Sequence, residues 1–331
     1  MTTAALRLGT RRSALALAQS EQIADRLRDA GQQVEIVTIT TEGDTNRGSL
    51  ATIGGTGVFA AALRAALLAG EVDLAVHSLK DLPVAPEPGL TVAGIPVRED
   101  ARDVLVARDG LTLGELPAGS VVGTGSPRRA AQLAALGLGH EVRDIRGNID
   151  TRIGYVHAGQ CDGVILARAG LVRTNRADDA TEIIDPLQIL PAPGQGALAV
   201  ECRSDRPALI ELIATLDDAD TRAAVTAERA LLGALEAGCS APVGALAEVV
   251  EDVDGQLEIS LRGFVGSTDA TVDIRRSRVG PYADPERIGH ELAEVFLSDG
   301  AAEALPPPNR PPATSASTNP ARPDSFPEAE Q

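Results

Sequence analysis

A short polar segment, His77-Ser78-Leu79-Lys80-Asp81-Leu82-Pro83, directly follows the apolar run Leu74–Val76. Loops at the carboxyl ends of strands line the ligand crevice in open α/β sheets. A carboxylate at Asp81 could stabilise a cationic intermediate there, or pass a proton to a leaving amine. The same residues also suit an ordinary helix start with Asp or Ser as its cap. Taken alone, the segment leaves both interpretations open.

Arginines mark three further junctions between a strand and a helix. The junctions are Gly9-Thr10-Arg11-Arg12-Ser13, Gly123-Thr124-Gly125-Ser126-Pro127-Arg128-Arg129 and Arg146-Gly147-Asn148-Ile149-Asp150-Thr151-Arg152. Free backbone N–H groups at helix starts and planar guanidinium groups both bind carboxylate or phosphate. Each junction alone is also compatible with solvated arginines. Together, in a chain with a formal net charge of −17, they favour a polyanionic ligand.

The three cysteines show no paired spacing, so we expect reduced thiols and no disulfide. Cys239 lies between Gly238 and Pro242 in a loop, where a thiol can serve as a nucleophile or an attachment point. Cys202 lies in a strand-like apolar run and is predicted to be buried. Cys161 lies in a turn and has no further support. No metal-ligand spacing is present, so no metal site is predicted.

Composition excludes several function classes. The charge of −17 disfavours nucleic acid and acidic membranes, and a chain with no Trp, two Tyr and four Phe lacks stacking platforms for bases. No apolar run approaches the ~18 residues of a membrane span, and residues 1–9 lack a secretory pattern. No Gly-Lys-Ser/Thr phosphate loop supports nucleotide hydrolysis. We therefore expect a cytoplasmic α/β enzyme.

Apolar runs alternate with helical patterns up to about residue 215, which indicates α/β sheets. Strands are predicted at Ala5–Gly9, Val34–Thr40, Val72–Val76, Val104–Ala107, Val121–Gly123, Val164–Leu166 and Ala197–Glu201, and helices at Gly57–Leu68, Ser126–Leu138 and Ile149–His157. Ser13 is predicted to cap a first helix. From Thr221 onward, a helix, three strands and a closing helix at Pro285–Leu297 indicate a small α+β domain. The Pro-rich tail is predicted to be disordered.

These segments together closely resemble porphobilinogen deaminases, also called hydroxymethylbilane synthases. The resemblance runs from Leu6 to about Phe296. It rests on the order and spacing of Thr10-Arg11-Arg12-Ser13-Ala14-Leu15-Ala16, the segment from Val76 to Pro83, Arg146-Gly147-Asn148, Pro193-Gly194-Gln195-Gly196-Ala197, and Glu228-Arg229 ahead of Gly238-Cys239.

The resemblance implies a three-domain fold. Two α/β domains of the type II periplasmic-binding-protein kind would enclose a central cleft, and a small α+β domain would follow. The expected bounds are 1–98 with 197–216 for the first domain, 99–196 for the second and 217–302 for the third, with residues 303–331 as the disordered tail.

The resemblance also implies the reaction. A transferase of this family carries a covalent dipyrromethane, attached here through Cys239, and joins four porphobilinogen molecules into the linear tetrapyrrole 1-hydroxymethylbilane in haem biosynthesis. Porphobilinogen would be the small-molecule partner of a monomeric enzyme, with no nucleic acid and no membrane involved.

By the same resemblance, Asp81 would be catalytic, assisting ammonia loss and stabilising the positive pyrrole nitrogens. The expected cofactor-binding residues are Cys239, Lys80, Ser126, Arg128, Arg129 and Arg146. The expected substrate-binding residues are Arg11, Ser13, Phe59, Arg152 and Gln195.

Three positions depart from the family pattern. Thr52 and Thr56 stand where many members have lysine, and Pro127 stands where leucine is more frequent. Two other functions remain open from the residues. A non-catalytic binding module for organic anions would explain the arginines but not Asp81 or Cys239. A Cys–His acyl transferase would use Cys239 and His77 but lacks an evident orienting residue.

Overall fold

The computed structural model describes residues 5–40, 58–238 and 241–305. Thr52, Thr56, Cys239 and the side chain of Phe59 lie outside this description, so the expectations for them stay predictions. The expected disorder of the tail also stays a prediction for residues 306–331. Its first residue, Glu303, instead ends a short 3-10 helix that spans Ala301–Glu303.

Thirteen strands and eight α-helices are found in the described residues. The strands are β1 Leu6–Thr10, β2 Val34–Thr38, β3 Leu74–Ser78, β4 Leu90–Gly94, β5 Asp103–Ala107, β6 Val121–Gly123, β7 Glu141–Arg143, β8 Gly163–Ala167, β9 Glu182–Ile183, β10 Leu198–Arg203, β11 Val243–Glu251, β12 Leu257–Gly266 and β13 Asp273–Pro281. The helices are α1 Ala14–Asp29, α2 Val58–Leu68, α3 Pro127–Ala135, α4 Ile149–His157, α5 Arg168–Arg173, α6 Pro207–Ala214, α7 Ala219–Ala234 and α8 Pro285–Ser298.

The first sheet has the order β2-β1-β3-β10-β4. Strand β1 pairs in parallel with β2 and β3, and β10 runs antiparallel to β3 and β4. Helices α1 and α6 cover one face and α2 covers the other, each through a buried apolar cluster. The side chains of β3 from Leu74 to His77 are buried on both faces, as a strand between two helical layers requires.

The second sheet repeats this plan with the order β7-β6-β8-β5-β9. Strand β6 pairs in parallel with β7 and β8, and β5 is the antiparallel strand. The chain crosses from the first sheet to the second between β4 and β5, and it returns between β9 and β10. The carboxyl ends of β3 and β8 meet there, because Ser78 and Lys80 line the same small cavity as Ala167.

The third sheet, β11-β12-β13, is antiparallel throughout. Helices α7 and α8 cover one face, with Leu231, Leu292 and Phe296 fully buried in the core between them. Near the end of β12, the side chain of Phe264 packs on the opposite face against Ala131 of α3 and Leu190. The third domain therefore contacts the second through the uncovered side of its sheet.

The predicted fold class is confirmed by these three sheets: two α/β domains and a small α+β domain. The predicted cap at Ser13 is confirmed, because its Oγ accepts a hydrogen bond from the Ala16 amide at 3.3 Å. Cys202 is fully buried, as predicted. Five elements were not predicted, namely β4, β7, β9, α5 and α6. Across the described residues, no helix combines the length and the apolar character needed to cross a bilayer.

Candidate active site

The turn after β3 presents Asp81 at the edge of the first sheet. A 3-10 turn spans Leu79–Asp81, and its backbone is fixed by the Leu79 amide, which donates to the Ala197 carbonyl at 3.0 Å. Leu79 and Leu82 are buried and hold the turn against the core. Asp81, between them, is exposed. The packing therefore leaves one carboxylate accessible at the carboxyl end of a buried strand.

Lys80 points toward the crossing between the two sheets. Its Nζ is 3.3 Å from Oε1 of the buried Gln195. Burial lowers the pKa of Lys80 to about 8, and the nearby charge of Asp81 opposes that shift, while Arg129 adds to it. An ammonium with a lowered pKa lacks compensating negative charge, so the position favours an anion.

Asp103, at the start of β5, joins two arginines of the second domain. Its Oδ2 accepts from Nη2 of Arg128 at 2.8 Å, and its Oδ1 accepts from Nη2 of Arg129 at 2.7 Å. The Gln195 amide also donates to Oδ1, at 2.7 Å. Burial acts to raise the pKa of Asp103, but the charges of both arginines outweigh it and hold that pKa far below its ordinary range. This buried group links Lys80 through Gln195 to the arginine junction.

Arg128 and Arg129 use most of their donors on the protein. Nη1 of Arg128 donates to the Leu190 carbonyl, and Nη1 of Arg129 donates to the Ile165 carbonyl at 3.0 Å. Both side chains are buried. Nε of Arg128 has no hydrogen-bond partner within the described chain. Their binding of a cofactor therefore stays a prediction, and their contact with Asp103 is what the structure adds.

Arg152, on α4, belongs to the same electrostatic field. Burial, together with the nearby charges of Arg129 and Arg146, lowers its pKa to about 10. The charge of Asp81 acts in the opposite direction on Arg152. The catalytic candidate on the first sheet is thus within electrostatic range of arginines on the second. Arg146 is only loosely paired, with Nη2 at 3.4 Å from Oδ2 of Asp144.

Two of the predicted binding hydroxyls are helix caps. Oγ of Ser126 accepts a hydrogen bond from the Arg129 amide at 3.5 Å at the start of α3. Ser13 caps α1 in the same way, through the Ala16 amide. A capping hydroxyl still has its own O–H to donate, so capping does not exclude a bound carboxylate. Arg11 lies half-buried at the same end of the first sheet, between β1 and α1.

Three residues of this region were not predicted as part of the site. One is Asp103. The others are Arg173, whose Nη2 donates to the Gly196 carbonyl at 2.7 Å, and Gln19, whose Nε2 donates to Oγ of Ser78 at 2.8 Å. Arg173 and Gln19 line a small cavity beside Lys80, between the two α/β domains. Gln19 lies on the buried face of α1, and Arg173 ends α5, a helix that the sequence pattern did not predict.

The comparisons with known proteins agree with this geometry. Residues 6–211 match the family model described as porphobilinogen deaminase, dipyromethane cofactor binding domain, and residues 222–298 match the one described as porphobilinogen deaminase, C-terminal domain. The chain belongs to the porphobilinogen deaminase family. The predicted resemblance is therefore confirmed.

Relatives in this family are similar over nearly their whole length. Porphobilinogen deaminase 1 of Streptomyces coelicolor is 58% identical over 311 residues, covering 91% of this chain and 98% of the relative. Porphobilinogen deaminase of Mycobacterium tuberculosis is 57% identical over 304 residues with the same coverage.

Solved structures similar to this chain include two binding proteins. A periplasmic substrate-binding protein of an ABC transporter from Coxiella burnetii is 16% identical, with coverage of 64% of this chain and 91% of that chain and a TM-score of 0.40. The methionine-binding protein MetQ is 13% identical, with coverage of 64% and 89% and a TM-score of 0.40.

Proposed function

We propose that this member of the porphobilinogen deaminase family is a hydroxymethylbilane synthase in which Asp81 is the catalytic carboxylate. The transferase activity and the dipyrromethane cofactor follow from family membership over residues 6–211 and 222–298. The observation that supports the role of Asp81 is its position as an exposed carboxylate within the field of Lys80 and Arg152.

The residues present fit a bound dipyrromethane. Each pyrrole ring derived from porphobilinogen carries two carboxylates. Burial without enough negative charge lowers the pKa of both Lys80 and Arg152, and a polycarboxylate would supply that charge. When bound, the dipyrromethane supplies the primer that accepts each new ring. Lys80, Arg129 and Arg146 would hold its carboxylates, because the charge of Arg129 acts on Lys80 and those of Arg129 and Arg146 act on Arg152.

Asp81 would act where ammonia leaves the substrate. Loss of ammonia from porphobilinogen places positive charge on the pyrrole, and a cleft lined by cations disfavours that charge. The carboxylate of Asp81 would offset the cost and could carry a proton to the leaving amine. Asp103 is buried and bonded to two arginines, so it is not available for this task.

The remaining roles form part of the same proposal. Cys239 would anchor the cofactor, as membership of the family implies. Ser126 and Arg128 would complete the cofactor site. Arg11, Ser13 and Arg152 would bind substrate carboxylates, and Phe59 and Gln195 would complete the substrate site. We also propose that the enzyme acts as a cytoplasmic monomer.

One experiment tests the function and the role of Asp81 together. The purified protein is supplied with porphobilinogen, and ammonia and 1-hydroxymethylbilane are measured. We expect turnover in the wild type and a loss of about 100- to 10,000-fold in Asp81→Asn, since general acid–base and electrostatic contributions have that size. Asp178→Asn removes an exposed carboxylate outside the site and is the matched control.

The result can contradict either part. A wild-type protein that binds porphobilinogen without releasing ammonia would favour the anion-binding module. A wild type that turns over while Asp81→Asn keeps most of its activity would leave the function in place and remove Asp81 from its role.

A further inference from the structure

Helix α7 of the third domain packs along the segment that carries Asp81. Val225 shares a buried apolar cluster with Leu79 and Leu82. Two turns further along, Gly233 lies so close to the segment that a Cβ there would be 3.1 Å from Cγ1 of Val84. Residues 225, 229 and 233 are spaced by four and therefore lie on one face of the helix. That whole face is directed at residues 79–84.

Arg229, in the middle of this face, binds three backbone carbonyls of the turn. Nη1 donates to Leu82 O at 2.9 Å and lies 3.3 Å from Leu79 O, and Nη2 donates to Pro83 O at 2.7 Å. The Leu79 carbonyl also accepts from the Leu82 amide within the turn, at 3.1 Å. The carbonyls of Leu82 and Pro83 lie past the end of the turn, where the helical pattern supplies no donor. A planar guanidinium can satisfy several of them at once, in one fixed orientation.

The bonded carbonyls enclose the two residues of the proposed chemistry. Lys80 and Asp81 lie between Leu79 and Leu82 in the chain, and both follow the direction that these flanking peptides set. The three hydrogen bonds of Arg229 to this turn go to backbone carbonyls. Arg229 therefore acts on the backbone that orients Lys80 and Asp81.

Helix α7 is itself fixed to the crossings between the α/β domains. Glu228, next to Arg229 and fully buried, accepts from Nη1 of Arg98 at 2.6 Å and from the Gly194 amide at 2.6 Å. It also accepts from the Ala247 amide of β11 at 2.8 Å. The helix is therefore a rigid reference, held by its own domain and by both crossings. It ends at Ala234, five residues before Cys239 in the sequence.

We propose that Arg229 is a positioning residue for Asp81, through which helix α7 of the third domain sets the orientation of the catalytic turn. This inference rests on the proposed function of Asp81. Because Arg229 acts on the turn backbone and not on the carboxylate-binding arginines, its loss should slow the chemical step and spare substrate binding. Misplacement of a catalytic group by about 1 Å can cost on the order of 100-fold in rate.

The test compares Arg229→Gln, Arg229→Lys and Arg222→Gln. Arg222 lies on the same helix and forms two hydrogen bonds with Asp217, both at 2.7 Å, away from the turn. Activity is normalised to the adduct-bearing fraction found by intact mass. We expect Arg229→Gln to lower kcat about 10- to 100-fold with less than about a threefold change in KM. Arg229→Lys should recover part of the loss, and Arg222→Gln should keep the wild-type kcat.

Several outcomes overturn the proposal. One is a wild-type kcat in folded Arg229→Gln, and another is an effect confined to KM. A fall in kcat of equal size in Arg222→Gln would show a merely structural effect of the helix.

If Arg229→Gln does not fold, Arg229→Lys decides, because one ammonium cannot span three carbonyls. Its kcat should then fall at least about threefold at constant KM, and a wild-type kcat would contradict the inference. Absence of turnover in the wild type would instead refute the proposed function.

Discussion

Replacing Asp103 by asparagine is expected to destabilise the second domain strongly. The carboxylate accepts four hydrogen bonds from three side chains, Arg128, Arg129 and Gln195, at 2.7 to 3.1 Å. All four residues are buried. An amide in its place offers one oxygen and turns an NH₂ group toward a guanidinium, so donors would face donors.

The size of the effect follows from burial. Removing one partner of a buried ion pair costs about 3–5 kcal/mol, because the remaining charge is left without compensation. Here two guanidinium groups are left. At roughly 2–4 °C per kcal/mol for a chain of this order, the melting temperature should fall by about 6–20 °C. Asp144→Asn is the matched control, since its pair with Arg146 is exposed and worth about 0–1 kcal/mol.

The assay is urea and thermal unfolding of the cofactor-bearing enzyme across pH. Because the pKa of Asp103 is held far below its ordinary value, the stability that it contributes is complete above the unfolded pKa of 3.8 and is lost only as pH falls toward the folded pKa. The gap between wild type and Asp103→Asn should therefore be constant from pH 5 to pH 8, as roughly the same charged form is present throughout. If Asp103→Asn melts no lower than Asp144→Asn, the reasoning is refuted.

Two further predictions concern charge and backbone. In Cys239→Ala, which cannot carry the proposed cofactor, Lys80 keeps its lowered pKa of about 8. The unfolded chain then binds more protons than the folded one between pH 8 and the ordinary lysine value of 10.5, so stability should rise with pH across that window. Adding Lys80→Met should remove the rise, and an unchanged slope would contradict it. Gly196→Ala should lower the melting temperature more than Gly255→Ala, because both have a positive φ but only at Gly196 would a Cβ meet a backbone atom, Glu99 O at 2.3 Å. Equal losses would show that strain alone matters there.

The elements that position the site could be predicted because their signals are local. Helix α4 begins after Asn148, whose Oδ1 accepts from the Thr151 amide at 2.8 Å, and its bounds match the prediction. The rule that ligands bind at the carboxyl ends of strands predicts Asp81 and the arginine junctions on one cleft, and the charge of Asp81 does act on Arg152. These residues needed only their own segment and the order of strands to be interpreted.

The missed elements have weak local signals. Strands β7 and β9 have three and two residues, too few for a periodic pattern. Asp103 appears in the sequence as a single acid at the head of an apolar run. Its partners Arg128 and Gln195 lie 25 and 92 residues further along the chain. Asp103 meets these partners only in the folded chain, so their spacing in the sequence does not predict the hydrogen bonds between them.

The contact between Arg229 and the turn has the same origin. The motif Glu228-Arg229 can be recognised in the sequence, but the hydrogen-bond partners of its two side chains cannot. Glu228 binds the crossings and Arg229 binds the turn, although the two are neighbours, because successive residues of a helix lie on different faces. The two side chains have separate roles because α7 packs between the two crossings, which Glu228 contacts, and the Asp81 turn, which Arg229 contacts.

The central claim is that this chain builds a tetrapyrrole on a primer held through Cys239 and acted on at Asp81. The most direct measurement is the intact mass of the purified protein, followed by peptide mapping. The account predicts a mass above that of the sequence by one dipyrromethane, located on the peptide containing Cys239 and lost in Cys239→Ala together with activity. A fully active protein with an unmodified Cys239 would contradict it.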